Sequence, residues 1–377
     1  MLINADFHIH SPFSGGTSDR IDLKRIADGA KKKGLHVVGT GDCLHPAWQR
    51  EIKRYAIDDA IEVDGIHFVL SVEVEDKNRV HHLLLFPDFY AANDFKESVK
   101  KYAANINEDG RPKIMLDGAE ILQRAREANV LIGPAHAFTP WTSLYAYFDS
   151  VLDYYGKKPD FIELGLSADS DYADRIKELH GIPFLTNSDA HSYSPHRLGR
   201  EFNRIKLNEI TWDEIRKAIL NNGIVLNVGF PPEKGKYNRT ACTSCYRQYK
   251  KEEAEKMRWR CHCNGIIKKG VKDRVDELAS YNHAVHPENR PKYLHLIPLA
   301  EIIGEALGTD SKASIVIRRW KELTKIGNEI EILLDTDIKK IRKVAPSAIA
   351  DAIEAFREGR IEILPGGGGK YGEIVIK

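Results

Sequence analysis

Along residues 1–230, short apolar runs alternate with longer stretches in which apolar positions recur at helical spacing. The runs lie at Leu2–Ile9, His36–Gly39, Phe68–Val74, His82–Phe86, Val130–Gly133, Phe161–Leu164, Pro183–Leu185 and Ile224–Val228. Between them, amphipathic stretches such as Leu23–Lys33, Gly118–Ala128, Tyr172–His180 and Thr211–Leu220 predict helices. Strand and helix thus alternate seven or eight times with no intervening linker. That pattern predicts an α/β fold whose strands close into a barrel rather than two doubly wound domains. In barrels of this type the active site gathers at the carboxyl ends of the strands.

After residue 230 the pattern changes. Residues 231–280 carry a cysteine-rich, basic module, and residues 281–377 read as a helical subdomain with a Gly-rich tail. Helical periodicity covers Leu294–Leu307, Ile315–Ile326 and Pro346–Arg357, with a strand-like run at Ile330–Leu334. The tail, Leu364-Pro-Gly-Gly-Gly-Gly-Lys-Tyr-Gly372, precedes a strand-like Glu373–Ile376. A glycine run either cradles a phosphate with its N–H groups or simply makes a turn. It lacks the P-loop pattern.

The polar residues at the ends of the apolar runs change this picture. In Asp6-Phe7-His8-Ile9-His10 the alternation of a strand puts Asp6, His8 and His10 on one face. Asp42 and His45 follow the second run, Glu73 closes the third, and His81-His82 opens the fourth. His136 follows the fifth, Glu163 closes the sixth, and Asp189 and His191 follow the seventh. Any one of these has an ordinary reading as a loop residue or a core histidine. Their recurrence at one topological position predicts a metal site. The candidate ligands are His8, His10, Asp42, His45, Glu73, His82, His136, Asp189 and His191, with His81 as the alternative to His82. Nine donors exceed the four to six positions of one ion, so two or three divalent ions (Zn²⁺, Mn²⁺ or Mg²⁺) are expected. Ions held ~3.5–4 Å apart activate a water and clamp phosphoryl oxygens.

Charge and cysteine usage extend the reading. The 377 residues carry 56 Lys+Arg against 55 Asp+Glu, so nothing global attracts a polyanion. Locally, Lys234–Asp276 holds thirteen Lys/Arg and five Asp/Glu, interleaved with Tyr237, Tyr246, Tyr249 and Trp259. Cations with stacking platforms predict a nucleic-acid surface. Four of the five cysteines fall in Cys242-Thr-Ser-Cys245 and Cys261-His-Cys263. They predict one structural Zn²⁺ held by Cys242, Cys245, Cys261 and Cys263, with His262 able to replace one thiolate. No apolar run approaches the ~20 residues that span a bilayer, and no signal-like segment opens the chain. A cytoplasmic location and no membrane partner are expected.

The ordered motifs His8-Ile-His10, Glu73, His81-His82, Pro134-Ala-His136 and Ser188-Asp-Ala-His191 resemble the PHP (polymerase and histidinol phosphatase) family. That resemblance covers residues 1–230 and implies a distorted (βα)7 PHP-type barrel with a trinuclear site. It implies His8, His10, Glu73, one of His81/His82, His136, Asp189 and His191 as ligands. Two departures stand out. The second loop reads Gly41-Asp-Cys43 where the family has Thr-Asp-His, so Asp42, Cys43 or His45 would substitute. No third histidine follows His10 in Ser11–Gly16.

Longer stretches, 78–88, 133–141, 163–171 and 186–191, resemble endonuclease Q, as does the order of barrel, cysteine cluster and Gly-rich tail. Members of that family nick DNA 5′ of deaminated bases (uracil, hypoxanthine, xanthine) and abasic sites. The resemblance implies a metal-dependent DNA-repair endonuclease acting on damaged DNA. Asp189, His10 and Glu73 are the candidate catalytic groups. Ser167 and Ser170 are candidates for reading the flipped base, and Arg197 and Arg200 for backbone phosphates or for ion pairs with barrel carboxylates. No terminal peptide suggests a sliding-clamp partner. A small-molecule phosphatase would use the same metals but has no need of the basic module. A non-catalytic DNA-binding scaffold would not need so full a ligand set.

Overall fold

A computed structural model describes residues 1–17 and 21–377. The strands Leu2–Asp6, Val37–Gly39 and Ile66–Asp76 run parallel, side by side. The next strand, His81–Phe86, is antiparallel to Ile66–Asp76, and Leu131–Pro134 is antiparallel to it in turn. The regular βα alternation therefore breaks at the fourth strand. Only Lys77–Val80 joins Ile66–Asp76 to His81–Phe86, which is a hairpin turn and too short for a crossover. The Asp76 carboxylate organises that turn by accepting from the N–H groups of Asn78 and Val80 at 2.7 and 2.9 Å.

A short parallel pair, Ile162–Glu163 and Phe184–Leu185, follows. Asp160 N donates to Ile132 O at 2.9 Å, and Ile9 bridges in parallel to Ala190. These contacts bring the row of strands round to its start. A compact apolar cluster draws on each strand or its flank, with Ile3, Val37, Val69, Leu83, Leu131, Phe161 and Leu185 among its members. The larger core packs the helices against the sheet.

Helix Leu23–Lys33 shows why the pattern was legible. Asp22 caps it by accepting from Arg25 N at 2.8 Å, Leu23, Ile26, Ala27 and Ala30 are buried, and Gly34 ends it at φ 93°. A cap of this kind contributes about 1 kcal/mol. Leu294–Leu307 is instead divided. Lys292–His295 is a strand, parallel to Ile224–Gly229, and the helix is Leu299–Ala306. Pro298 starts that helix and could not sit inside it. The chain beyond residue 281 thus returns to the large sheet. Strand Phe202–Lys206, which the apolar pattern did not reveal, lies antiparallel between Leu2–Asp6 and Ile224–Gly229.

Two further expectations are corrected. Ile330–Leu334 is helical, within Glu329–Leu334, because Asn328 and Glu331 cap each other's backbone N–H at 3.0 and 2.9 Å. The stretch Tyr172–His180 is a short helix, Ser170–Ala173, and a separate 3-10 turn, Lys177–Gly181. Among the described residues no helix is long and apolar enough to cross a membrane.

Candidate active site

The strand ends converge on one cleft. His8, His10 and Asp189 form one group whose ligating atoms lie within 4.8 Å of each other, and Glu73, His81 and His136 form a second. Glu73 faces both groups, with Oε1 2.8 Å from His136 Nε2 and Oε2 3.5 Å from His10 Nε2. The ring of His191 lies 4.3 Å from that of His10, on the solvent side. Asp42, His136 and Asp189 all adopt positive φ, at 47°, 30° and 47°. Non-glycine residues in this region store strain, and strain clusters where side chains must be aimed.

The hairpin decides between the two adjacent histidines. Glu75 pairs opposite His81 and Val74 opposite His82. His81 therefore shares a face with Glu73 and Glu75, and its Nδ1 lies 2.7 Å from Glu73 Oε1. His82 points the other way, buried between Tyr155 Oη at 2.7 Å and Asp76 Oδ2 at 3.2 Å. His82 is thus set apart from the cluster by the two-residue period of a strand.

The second loop contributes support rather than a donor to either group. Asp42 is buried and accepts from Ser11 N, Ser11 Oγ and Ser14 Oγ at 2.8, 2.6 and 2.9 Å. Its other oxygen lies 3.4 Å from His10 Nδ1. Cys43 is buried in the core, and His45 stacks on Phe13 at 3.9 Å. Asp6, although buried nearby, is spent on the backbone N–H groups of Ser188 and Gly199 at 3.0 and 3.1 Å.

Glu163 plays a part the sequence only hinted at. Its carboxylate lies 2.9 Å from His8 Nδ1 and accepts from His136 N and Asn187 Nδ2, both at 2.8 Å. Arg111 was not foreseen at all. It comes from a loop and reaches Glu73 Oε2 at 3.2 Å.

The electrostatics are those of closely packed opposite charges. Burial opposes a proton on His8 and His10, yet Glu163 beside the first, and Asp189 and Asp42 beside the second, raise them to about 9 and about 10. Burial likewise opposes charge on Glu73 and Asp189, but the surrounding imidazoles hold both carboxyls well below the usual range. Protons here balance the carboxylates, as divalent cations would. His8 Nε2 is buried with no hydrogen-bond partner, 3.8 Å from both Glu73 and Asp189. An orphaned imidazole nitrogen facing two carboxylates fits a bound cation, and Glu163 on the opposite nitrogen is the usual support for such a ligand.

The cleft around these groups holds about 1100 Å³ and is lined by Arg111, Ser167, Arg200 and Tyr371 as well as by ligand candidates. Ser170 lies buried at the start of helix Ser170–Ala173, outside the lining. Arg197 also lines the cleft. Among the described residues no barrel carboxylate lies within ion-pair distance of Arg197 or Arg200. The two arginines meet Tyr371 Oη at 3.3 and 3.0 Å.

In the cysteine module, Sγ of Cys242 lies 3.5 Å from that of Cys263, and Cys245 sits 3.5 Å from Cys261. All four Sγ atoms fall within 4.8 Å, and all four are free thiols. A tetrahedron of ~2.3 Å Zn–S bonds places sulfurs about 3.8 Å apart, so the group fits one zinc ion.

A family model described as the MJ0043 C-terminal domain matches residues 298–360. "Uncharacterized protein MJ0043" of Methanocaldococcus jannaschii is 51% identical over 249 residues, 64% of this chain. That match spans only 32% of MJ0043. YqxK of Bacillus subtilis is 30% identical over 401 residues, 99% of each chain. The solved structure of the lesion-specific endonuclease PfuEndoQ from Pyrococcus furiosus is 51% identical, with a TM-score of 0.92 over 100% of this chain and 96% of that one. The chain belongs to the endonuclease Q family. An endonuclease Q structure in complex with a 27-mer duplex substrate, with an abasic lesion at the active site, is 50% identical, with a TM-score of 0.96 over 100% and 97% of the two chains. The likeness to endonuclease Q thus includes the cysteine module and the C-terminal helices as well as the strands that carry the cleft.

Proposed function

We propose that this chain is a metal-dependent DNA endonuclease of repair. It nicks the phosphodiester 5′ of deaminated bases (uracil, hypoxanthine, xanthine) and of abasic sites, leaving 3′-hydroxyl and 5′-phosphate ends. The observation that carries this reading is Glu73 joining its own group, with His81 and His136, to that of His8, His10 and Asp189, in a chain that matches a lesion-bound endonuclease Q along its whole length. The strands that hold it are read as a distorted (βα)7 PHP-type barrel. His8, His10, Glu73, His81, His136, Asp189 and His191 are the proposed ligands of two or three divalent ions. Cys242, Cys245, Cys261 and Cys263 are those of one structural Zn²⁺.

Divalent cations bound at such a site supply an activated hydroxide and neutralise phosphoryl oxygens. The chain's own residues do the rest. Glu163 holds His8 Nδ1, so Nε2 faces the cleft. Asp42 holds His10 in the same way. Asp189, in the cleft lining with Oδ1 3.2 Å from His10 Nε2, is the proposed catalytic carboxylate. Arg111 offers a guanidinium at the same carboxylate cluster. A target nucleotide has to leave the base stack to reach these groups. Ser167, in the Gly165–Ser167 lining, is the proposed residue to meet it. A carbonyl where the parent base carries an amine would accept from a hydroxyl or backbone N–H there.

A labelled duplex with one uracil, incubated with Mg²⁺ or Mn²⁺, tests the reading. The wild type should nick on the 5′ side of uracil, and Asp189→Ala should bind the duplex without nicking it. No nick by the wild type, or an undiminished nick by Asp189→Ala, overturns it.

A further inference from the structure

The Gly-rich tail is the motif that the proposed chemistry leaves unused. Four of its five glycine N–H groups are already paired and cannot cradle a phosphate. Gly366, Gly369 and Gly372 donate to the carbonyls of Glu233, Lys236 and Lys234 at 2.8, 2.9 and 3.0 Å, and Gly367 donates to Lys370 O at 3.0 Å. The backbones lie so close that a side chain at Gly368, already at φ 65°, would run into the Cys242 carbonyl. The loop is therefore a clasp, held by hydrogen bonds to 233–236.

What the clasp presents is Tyr371. Its hydroxyl meets Arg197 Nη1 at 3.3 Å and Arg200 Nη1 at 3.0 Å, and Lys236 Nζ sits 6.0 Å from its ring centre. A phenol has two lone pairs and one proton. Both arginines donate to the oxygen, which fills its two lone pairs and ties the guanidinium groups to one point. Arg200 is buried and otherwise donates to Ser188 O at 2.8 Å. Among the described residues none of the three cations Arg197, Arg200 and Lys236 has a carboxylate within ion-pair distance. Arg200 feels Asp189 and Glu201 only from further off, and together the three leave positive charge on the wall of the cleft that holds His136 and Asp189.

We infer that Tyr371, Arg197, Arg200 and Lys236 form a subsite for a DNA phosphodiester next to the one that is cut, with Tyr371 as the positioning residue that aligns the two guanidinium groups. This rests on the endonuclease reading and deepens it. The C-terminal tail thereby becomes part of the active cleft, although it lies about 180 residues beyond Asp189 in the chain.

The test uses the full-length, metal-loaded protein and a fluorescent duplex with one uracil. Binding is followed by anisotropy at several salt concentrations, and nicking in parallel. Tyr371→Phe should raise Kd and KM about tenfold, the usual effect of losing a hydrogen bond to a charged group, with kcat little changed and Tm within ~2 °C. Arg197→Gln should weaken binding and reduce the slope of log K against log salt by about 0.9. The double variant should bind no worse than Arg197→Gln alone, because Tyr371 acts through the arginines. Wild-type binding by Tyr371→Phe overturns the inference, as does an unchanged salt slope in Arg197→Gln. If Tyr371→Phe loosens the tail, the Arg197→Gln slope decides alone. A wild type that neither binds nor nicks removes the endonuclease reading and this subsite with it.

Discussion

His8 Nδ1 lies 2.9 Å from Glu163 Oε2, and this one contact fixes which nitrogen His8 turns toward the cleft. The pair joins residues 155 apart in the chain, from the first and the sixth strand ends. Glu163 also accepts from His136 N and Asn187 Nδ2, so a single buried carboxylate orients two candidate ligands. Glu163→Gln keeps the shape but sets an amide donor against other donors. Affinity for Mn²⁺ or Zn²⁺, measured by titration calorimetry, should fall about 10–100-fold, with the nicking rate falling in step. Unaltered metal affinity would show that Glu163 is only a packing element.

The cysteine group gives a second expectation. Cys245→Ser should lose one zinc per chain by elemental analysis, and residues 241–268 should become open to proteolysis. A structural zinc contributes on the order of 10 kcal/mol to a module this small. His262 lies outside the four-thiol group, so His262→Ala should retain the metal. An unchanged zinc count in Cys245→Ser would refute the site.

A third expectation concerns the join between the strand region and the C-terminal helices. Lys33 Nζ, buried, meets Glu329 Oε1 at 2.6 Å and Pro195 O at 2.9 Å. Glu329 also accepts from Leu299 N at 3.1 Å and Trp320 Nε1 at 2.5 Å. Lys33→Met leaves that carboxylate buried without its cation, and should lower stability in urea melts by about 3–5 kcal/mol. A loss below ~1 kcal/mol would mean that the carboxylate finds water or a proton instead.

The fourth concerns pH. Glu201 is fully buried, and burial pushes its carboxyl up to about 8 although it accepts from Phe230 N at 2.9 Å. An unfolded chain releases that proton near the ordinary ~4.3. Between these values the unfolded state binds fewer protons, so stability falls as pH rises, and above about 8 the loss is complete. Glu201→Gln removes this contribution. The difference in Tm between variant and wild type should grow in the variant's favour from pH 6 to pH 8. A difference that stays flat would show that burial does not hold the proton on Glu201.

Much of the fold was legible because it rests on local periodicity. Helix Leu23–Lys33 begins and ends where the apolar stripe and its cap and glycine say it should. Strand ends rich in His, Asp and Glu marked the cleft before any contact was known. The misreadings have separate causes. Phe202–Lys206 is a strand because two neighbours flank it, not because Phe-Asn-Arg-Ile-Lys alternates well. Ile330–Leu334 has β-branched composition, but the cap at Asn328 overrides it.

The sequence by itself determined the alternation of elements, the convergence of ligand-type residues at strand ends, and the four-cysteine group. These follow from spacing along one chain, which short-range sterics and burial translate directly. Only the tertiary structure decided that His81 rather than His82 faces Glu73, since that depends on hairpin register. It also decided that Asp42 supports His10, that Arg111 reaches Glu73, and that Tyr371 meets Arg197 and Arg200. Each of these joins residues far apart in sequence, and such meetings are set by how packed elements cross, which no local pattern encodes.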